Sequence, residues 1–354
     1  MTERSGDIPA NPGRPDDSPP PVAPRSGNER ADSVEGESEE SLHPVLRRYL
    51  NDEAASRSSW REMGVKLARG GYRVVALANG RGPTPDVVED VKIGGVLCRR
   101  YRPAEARGGL IMYFHGGGFV MGDLETHDAT CRRIAVQSGV ELIAVDYRLA
   151  PEHRYPAAHD DCERVTREAA RLAGLAFTEV VVAGDSAGGC LAAAVAARLH
   201  DTGDQLAGQC LLYPGIDSRC ETESYRTYAS GYGLTAETMH WFWSTYLGDI
   251  PRKVAPPDAA PSSRTRVDGL PPAFVMTCAF DVLRDEGEIY ATRLLEAGVP
   301  TRLVRWPRVI HGFLQLAGIL ESGEEATLQV GDVAAAMIEG RFEELAQPPL
   351  KTLR

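Results

Sequence analysis

One serine near the middle of the chain stands in a pattern typical of a nucleophile. In the run Gly184-Asp185-Ser186-Ala187-Gly188-Gly189, glycines lie two positions before and two positions after Ser186. Apolar residues over 178–183 precede this run and an alanine-rich stretch over 187–200 follows, which predicts a strand, a tight turn and a helix. A hydroxyl on such a turn can attack the carbonyl carbon of an ester, because the small neighbours relieve crowding around it.

A second glycine-rich segment is His115-Gly116-Gly117-Gly118-Phe119. Consecutive glycines let backbone N–H groups approach a ligand without obstruction by side chains. A phosphate-binding loop would need a following Gly-Lys-Ser/Thr or the Rossmann glycine spacing, and the sequence has neither. Beside a serine nucleophile, the segment is better explained as a source of N–H donors for an oxyanion than as a flexible turn. We expect the donors to be the amides of Gly116, Gly117 and Ala187.

The histidine that would act as general base is found by elimination among the eight in the chain. After a G-x-S-x-G turn, the acid and then the histidine come later in the chain, which leaves His200, His240 and His311. His200 ends the helix that Ser186 begins, roughly 20 Å away at about 1.5 Å per residue. His240 lies in an aromatic segment, before any acid that follows a later strand. His311 follows a predicted strand over 301–306 and therefore lies in a loop at the correct edge of the sheet.

The acid that would orient this histidine should follow the strand predicted over 273–278. Asp281 is the first candidate, and a buried carboxylate there would hold the imidazole in the productive tautomer. Asp285 and Glu286 lie in the first turn of the next predicted helix, where the helix dipole favours acidic residues in any case. We therefore expect Asp281 to be the acid, and Asp285 remains the alternative.

These residues need a scaffold that brings distant loops to one edge. Short apolar runs bounded by turn residues are typical of strands buried on both faces, and here they alternate with stretches of helical periodicity. The alternation predicts an α/β fold with a mainly parallel sheet and helices on both sides, preceded by a hairpin over 87–101. The predicted strands are 109–114, 141–147, 178–183 and 272–278, and the predicted helices are 124–138, 157–173, 187–201 and 284–297.

Between about residues 217 and 250 the alternation is interrupted by a cluster of aromatic residues. One apolar stripe at helical spacing runs along this segment: Met239, Phe242, Trp243, Tyr246 and Leu247. A helix packed on the body of the protein would explain the stripe. A cap over the active site would explain it equally, because a cap must also pack, and we favour the cap.

Five motifs together resemble the hormone-sensitive-lipase family of bacterial esterases, also called the α/β-hydrolase fold-3 group. They are the glycine loop 115–119, the run 146–153 (Asp-Tyr-Arg-Leu-Ala-Pro-Glu-His), the serine turn 184–189, the acidic segment 281–286 and His311-Gly312-Phe313. The resemblance implies an α/β-hydrolase fold with an eight-stranded sheet, and a cap built from the N-terminal helices and an insertion before the acid. It also implies a preference for short- or medium-chain acyl esters without a cofactor, and a homodimer.

The chain divides into six parts on these grounds. Residues 1–40 are rich in Pro, Ser, Gly, Asp and Glu and have few large apolar groups, so we expect a disordered tail. The other parts are N-terminal helices contributing to the cap (41–85), the catalytic core (86–216), the cap insertion (217–255), the second part of the core (256–346) and a C-terminal tail (347–354).

Composition limits the partners and the compartment. A net charge of −11 argues against nucleic acid as a partner. No apolar run approaches the roughly 20 residues of a membrane helix, and the N-terminus lacks the apolar stretch of a signal peptide. The seven scattered cysteines form no C-x-x-C pair and are expected to be buried thiols rather than disulfides or metal ligands. We expect a cytoplasmic protein without a metal or cofactor, acting on a small ester.

The expected chemistry is ester hydrolysis through a covalent acyl-enzyme, with Ser186 as nucleophile, His311 as base and Asp281 as acid. An acyltransferase, a dedicated deacetylase or a lactonase shares this chemistry up to the acyl-enzyme, so these activities remain alternatives. A non-catalytic ligand receptor on the same scaffold is disfavoured, because all three residue types of the triad are present.

Overall fold

The computed structural model describes residues 41–54 and 60–345 and is built around one sheet. Its strands are β1 (Val87–Ile93), β2 (Val96–Arg102), β3 (Arg107–Phe114), β4 (Val140–Val145), β5 (Val180–Asp185), β6 (Gly208–Leu212), β7 (Ala273–Phe280) and β8 (Thr301–Ile310). They are ordered β1-β2-β4-β3-β5-β6-β7-β8. Among the described strands only β2 runs in the opposite direction to the others, so the carboxyl ends of β3 to β8 meet at one edge.

Helices cover both faces of the sheet. They are α1 (Pro44–Ala54), α2 (Trp60–Ala76), α3 (Leu124–Ser138), α4 (Ala157–Ala173), α5 (Ala187–Asp201), α6 (Glu223–Thr227), α7 (Ala236–Leu247), α8 (Arg284–Glu296), α9 (Glu321–Ile338) and α10 (Phe342–Leu345). Side chains of α3 and α9 share one hydrophobic core, and those of α4, α5 and α8 share the other. Along β3, Met112 and Phe114 enter one core while Ile111 and Tyr113 enter the other, which is the alternation of a strand buried on both faces.

The predicted α/β architecture, its leading hairpin and its helices are confirmed. The boundaries of α3 follow from local chemistry: Asp123 accepts a hydrogen bond from the amide of Thr126 at the first turn, and Gly139 ends the helix in the left-handed conformation. β6 is not among the predicted strands, because the five-residue segment Gly-Gln-Cys-Leu-Leu is too short to distinguish a strand from a buried loop.

The aromatic segment forms α6 and α7, and the whole predicted stripe of α7 is buried. Thr235 caps this helix by accepting a hydrogen bond from the amide of Thr238. Burial of a large apolar side chain contributes about 1.5–3 kcal/mol, so the stripe fixes α7 firmly to the body.

The predictions from composition about cysteines, membrane helices and tails can be compared with the structure only in part. All seven cysteines are buried and free, as expected. No helix among the described residues combines the length and apolar character needed to cross a membrane. The two predicted tails, 1–40 and 347–354, lie outside the described residues.

Candidate active site

Ser186 lies on a sharp turn between β5 and α5 and has a backbone conformation that few non-glycine residues adopt. Its φ is 56° and its ψ is −119°. A Cβ atom on Gly184 would lie 2.3 Å from the carbonyl oxygen of Gly188, and one on Gly188 would lie 1.8 Å from the carbonyl oxygen of Phe114. Both positions therefore require glycine, and the strained turn exposes the serine hydroxyl at the carboxyl edge of the sheet.

The structure brings the three predicted side chains together in one hydrogen-bonded chain. His311 Nε2 lies 2.9 Å from Ser186 Oγ, and His311 Nδ1 lies 2.8 Å from Asp281 Oδ2. The other carboxylate oxygen of Asp281 accepts a hydrogen bond from the amide of Leu283 at 2.9 Å. The Asp281 side chain is fully buried, whereas that of His311 is 12% exposed, so the imidazole joins a buried acid to a hydroxyl at the pocket.

The rival candidates lie elsewhere. Asp285 accepts a hydrogen bond from the amide of Ser224 at 2.8 Å and pairs with Arg284, so its carboxylate is engaged away from the imidazole. His240 contacts Arg252 through Nδ1, and His200 faces Gln205. None of these three candidates has a hydrogen bond with Ser186 or with His311 in the described part of the chain.

The glycine loop differs from the prediction at its first glycine. The amide of Gly116 donates to Asp185 Oδ1 at 3.0 Å and also lies 3.3 Å from His127 Nε2. The prediction that Gly116 is an oxyanion donor is therefore wrong for this geometry, because its N–H group already has a buried acceptor. The amides of Gly117 and Gly118 have no hydrogen-bond partner among the described residues.

Peptide geometry shows where those two amides point. The carbonyl oxygen of Gly116 lies 2.8 Å from His115 Nδ1, and that of Gly117 accepts from the amides of Val120 and Met121 at 3.1 and 2.8 Å. In a trans peptide the N–H group points opposite to the preceding carbonyl. Because both carbonyls are held inside the loop, the N–H groups of the next residues, Gly117 and Gly118, face the other way. Both of these residues line the pocket that contains Ser186.

Behind the loop lies a buried polar network that the sequence motifs did not reveal. Asp185 accepts from the Tyr113 hydroxyl at 2.8 Å and contacts His127 at 3.2 Å. Burial alone would raise the pKa of Asp185, but its neighbour His127 and the hydrogen bonds from His127 and Tyr113 bring it below its usual value. The pKa of His115 is lowered to about 4, chiefly by burial and then by the charge of His127.

The network reaches the pocket wall through one amide. Gln315 Nε2 lies 2.5 Å from His127 Nε2 and 2.9 Å from the Tyr72 hydroxyl. Tyr72 lies on α2 and Gln315 follows β8, so the N-terminal helices and the carboxyl edge meet here. Asp185 stands out in the sequence as an aspartate between Gly184 and Ser186. Its role in holding the glycine loop is not visible there, because its partners Tyr113 and His127 are distant in sequence.

The pocket has a cavity volume of about 120 Å³ and combines polar and apolar walls. Residues from α1, α2 and the α7 region line it together with Ser186: Tyr49, Tyr72, Val75, Leu234, Thr238 and Phe242. α7 also packs on the glycine loop, because a Cβ atom on Gly118 would lie 2.2 Å from the Phe242 ring and Tyr246 stacks on Phe119 at 4.0 Å. No group of three or more His, Cys, Asp or Glu side chains could hold a metal ion in the part of the chain that the structure describes.

Known proteins share this architecture. The family model for the alpha/beta hydrolase fold matches residues 111–315. An ethyl acetate hydrolase of Pseudomonas putida is 34% identical over 310 residues, which cover 82% of this chain and 97% of that protein. Esterase LipI of Mycobacterium tuberculosis is 40% identical over 250 residues, or 68% of this chain and 78% of that protein. A solved hyperthermophilic esterase of the archaeon Pyrobaculum calidifontis has a TM-score of 0.79 and 38% identity, covering 85% of this chain and 99% of that one.

The range matched by the family model runs from β3 to beyond His311 and includes both glycine-rich turns. The resemblance seen in the sequence motifs is thereby confirmed over more than half of the chain. The chain belongs to the alpha/beta hydrolase family, in its hormone-sensitive-lipase-like group of esterases, and it is a carboxylic-ester hydrolase.

Proposed function

We propose that the protein hydrolyses short- to medium-chain acyl esters with a triad of Ser186, His311 and Asp281. The observation that carries this proposal is the continuous chain from Ser186 Oγ to His311 Nε2 at 2.9 Å and from His311 Nδ1 to Asp281 Oδ2 at 2.8 Å. With its Nδ1–H donated to the acid, the imidazole presents Nε2 as an acceptor for the serine proton.

In the first half of the reaction, Ser186 Oγ attacks the ester carbonyl carbon and its proton passes to His311 Nε2. The carbonyl oxygen becomes an oxyanion as the new C–O bond forms. When the tetrahedral intermediate collapses, the bond to the alcohol oxygen breaks and His311 returns the proton to that oxygen. The buried Asp281 stabilises the imidazolium that exists between these two transfers.

In the second half, water replaces the alcohol. His311 takes a proton from water as the water oxygen attacks the acyl carbon. The bond between that carbon and Ser186 Oγ then breaks, Oγ regains its proton from His311, and the carboxylic acid leaves.

The oxyanion is proposed to bind to three backbone amides, those of Gly117, Gly118 and Ala187. Gly118 replaces Gly116 in the set expected from the sequence, because the Gly116 amide is held by Asp185. The Ala187 amide opens α5, where the first N–H groups of a helix have no intrahelical partner and carry a partial positive charge. Fixed donors of this kind stabilise charge without reorganising during the reaction.

We also propose that the N-terminal helices (41–85) and the insertion (217–255) form the cap. Support comes from the pocket wall, to which both segments contribute residues beside Ser186. The small cavity favours short acyl chains, and the name of the Pseudomonas relative refers to ethyl acetate, a short-chain ester. The cytoplasmic location and the homodimer stay predictions.

Hydrolysis of a p-nitrophenyl ester series, from acetate through butyrate and octanoate to dodecanoate, tests the proposal. We expect the highest kcat/KM for the shorter esters, and a loss of about a thousandfold or more in kcat for Ser186→Ala and for His311→Ala. Substantial turnover by Ser186→Ala would refute the mechanism. Product analysis with an added acceptor alcohol separates hydrolysis, which we expect, from acyl transfer, which would yield a new ester.

A further inference from the structure

One arginine of the N-terminal helices reaches the loop that carries the proposed oxyanion donors. Arg69 on α2 donates from Nε to the carbonyl oxygen of Val120 at 2.8 Å and from Nη2 to that of Ala150 at 3.0 Å. Its guanidinium also forms a two-pronged pair with Glu152, at 3.0 and 2.7 Å. The Arg69 side chain is only 31% exposed, so a single residue ties α2 to two separate loops of the core.

The carbonyl of Val120 lies at the end of the glycine loop. The amides of Val120 and Met121 both donate to the carbonyl oxygen of Gly117, which closes the turn. Phe119 in the same turn accepts a hydrogen bond from the amide of Ala150 at 2.9 Å. Arg69 therefore binds both segments, 117–121 and the loop at Ala150, at the place where they are already joined to each other.

The orientation of this turn decides where the oxyanion donors point. The Gly118 N–H faces the pocket because the preceding carbonyl is held by Val120 and Met121. The Val120 carbonyl shares a peptide plane with the Met121 amide, so rotation of that peptide would turn this amide away and release the shorter of the two hydrogen bonds to the Gly117 carbonyl. A misplacement of about 1 Å in such a site costs up to about a hundredfold in rate.

We propose that Arg69 is a positioning residue that holds the Gly117–Gly118 turn in its donor orientation, so that the N-terminal helix governs transition-state stabilisation. The inference rests on the proposed function, because it assumes that these amides bind the oxyanion. Glu152 acts through Arg69: its two oxygens hold the guanidinium plane, and the hydrogen bond from Arg69 lowers the pKa of Glu152 below its usual value.

A neighbouring arginine supplies a matched control. Arg73 lies one helical turn further along α2 and pairs with the Asp123 carboxylate, but it donates to no backbone carbonyl among the described residues. Removal of Arg73 costs the same charge and a comparable surface ion pair without touching the glycine loop. Such exposed pairs contribute about 0–1 kcal/mol.

The test compares Arg69→Ala with Arg73→Ala on a p-nitrophenyl ester. For Arg69→Ala we expect kcat to fall about ten- to a hundredfold while KM changes less than about threefold. Affinity for a trifluoromethyl ketone, whose adduct with serine carries an oxyanion, should fall by the same factor as kcat, and the affinity for the matching methyl ketone should not. Added guanidinium ions should restore part of kcat in Arg69→Ala, whereas ammonium ions should not. Arg73→Ala should stay within about twofold of the parent enzyme and show no rescue.

The inference is overturned if Arg69→Ala keeps its kcat, if both ketones lose affinity equally, or if Arg73→Ala falls as far. Should Arg69→Ala not fold, Glu152→Gln takes its place, with an expected loss of about three- to tenfold in kcat and in trifluoromethyl ketone affinity. Unchanged kcat in a folded Glu152→Gln would then overturn it. Failure of the proposed function is distinguishable, because it would appear as turnover in Ser186→Ala whatever happens at Arg69.

Discussion

Two buried aspartate–histidine pairs lie at the carboxyl edge of the sheet, and only one of them contacts the hydroxyl of Ser186. Asp281 follows β7 and contacts His311 at 2.8 Å, while Asp185 ends β5 and contacts His127 at 3.2 Å. Both carboxylates are almost fully buried. By residue type and distance alone, the two pairs are hard to tell apart.

The remaining ring nitrogen separates them. His311 Nε2 faces Ser186 Oγ. His127 is 1% exposed and its Nδ1 contacts the Thr126 hydroxyl at 2.9 Å, whose own proton goes to the carbonyl oxygen of Asp123. His127 Nδ1 is therefore occupied by Thr126 and its Nε2 faces Asp185 and Gln315, so neither ring nitrogen is directed at a substrate. An aspartate–histidine pair acts as a base only when the second nitrogen reaches the pocket; otherwise it supports the loops around it.

The largest expected effect comes from Asp281→Asn. The amide would offer an N–H where His311 needs an acceptor, which favours the wrong imidazole tautomer. We expect kcat on p-nitrophenyl butyrate to fall about a thousandfold or more, with the thermal midpoint nearly unchanged. A loss of less than about tenfold in kcat would contradict the proposal that the Asp281–His311 pair is catalytic and the Asp185–His127 pair is not.

The corresponding change in the other pair, Asp185→Asn, should give a smaller loss with a different pattern. Gly116 and Tyr113 both donate to Oδ1, which the amide can keep, but Oδ2 is replaced by an uncharged NH2 group where the carboxylate contacts His127. The network behind the glycine loop therefore loosens, while the contacts among Ser186, His311 and Asp281 stay intact. We expect kcat to fall about ten- to a hundredfold together with a lower thermal midpoint. Steady-state kinetics and thermal melts test this, and a loss equal to that of Asp281→Asn without destabilisation would contradict it.

Acid should weaken the network around Asp185 through His115. Its pKa is lowered from 6.5 to about 4 in the folded protein, so between these values the unfolded chain binds more protons. Stability present above pH 6.5 is therefore lost as the pH falls toward 4, at up to about 1.4 kcal/mol per pH unit. Asn does not titrate, and its amide can still donate to the Gly116 carbonyl.

Urea unfolding of the parent and of His115→Asn measures this contribution. The slope of the unfolding free energy against pH should be shallower in the variant by about one proton between pH 6.5 and 4. Above pH 7 the two curves should run parallel. Equal slopes in the acid range would show that His115 is protonated as easily in the folded protein as in the unfolded chain.

The smallest effect is expected for Asp285→Asn, the rival acid from the sequence. Its carboxylate accepts from the Ser224 amide and pairs with Arg284, and an amide oxygen can keep the first of these bonds. We expect kcat within about twofold of the parent. A loss comparable with that of Asp281→Asn would exchange the roles of the two aspartates.

Much of the fold could be predicted because its signals are local. Periodicity and end residues mark the limits of α3, α4 and α5, and alternating apolar runs mark the strands. β6 was not predicted because it has only five residues and all of them are buried, Gln209 included, so no exposed position reveals its alternation. Its place between β5 and β7 is set by pairing with chain segments far away in sequence.

The order of the motifs along the chain was enough to predict which side chains meet at the site. It was not enough where a contact from a distant part of the chain changes the role of a residue. Ser186, Asp281 and His311 each follow a strand, and parallel strands bring such positions together. The error at Gly116 arose because its partner, Asp185, lies 69 positions later and acts as an acceptor that no motif assigns. The contacts of Arg69 could not be predicted for the same reason, because the sequence of a helix does not show which backbone carbonyls an arginine side chain will contact.

The unpartnered amides of Gly117 and Gly118 have a consequence for the time course of turnover. They are directed at the pocket before any ester arrives, so they also attract small anions of suitable shape. The acid released in each cycle carries such a group, and we expect it to compete with the ester for the same donors. Progress curves should therefore slow as acid accumulates, and the rate in a cell would depend on how quickly another reaction consumes it.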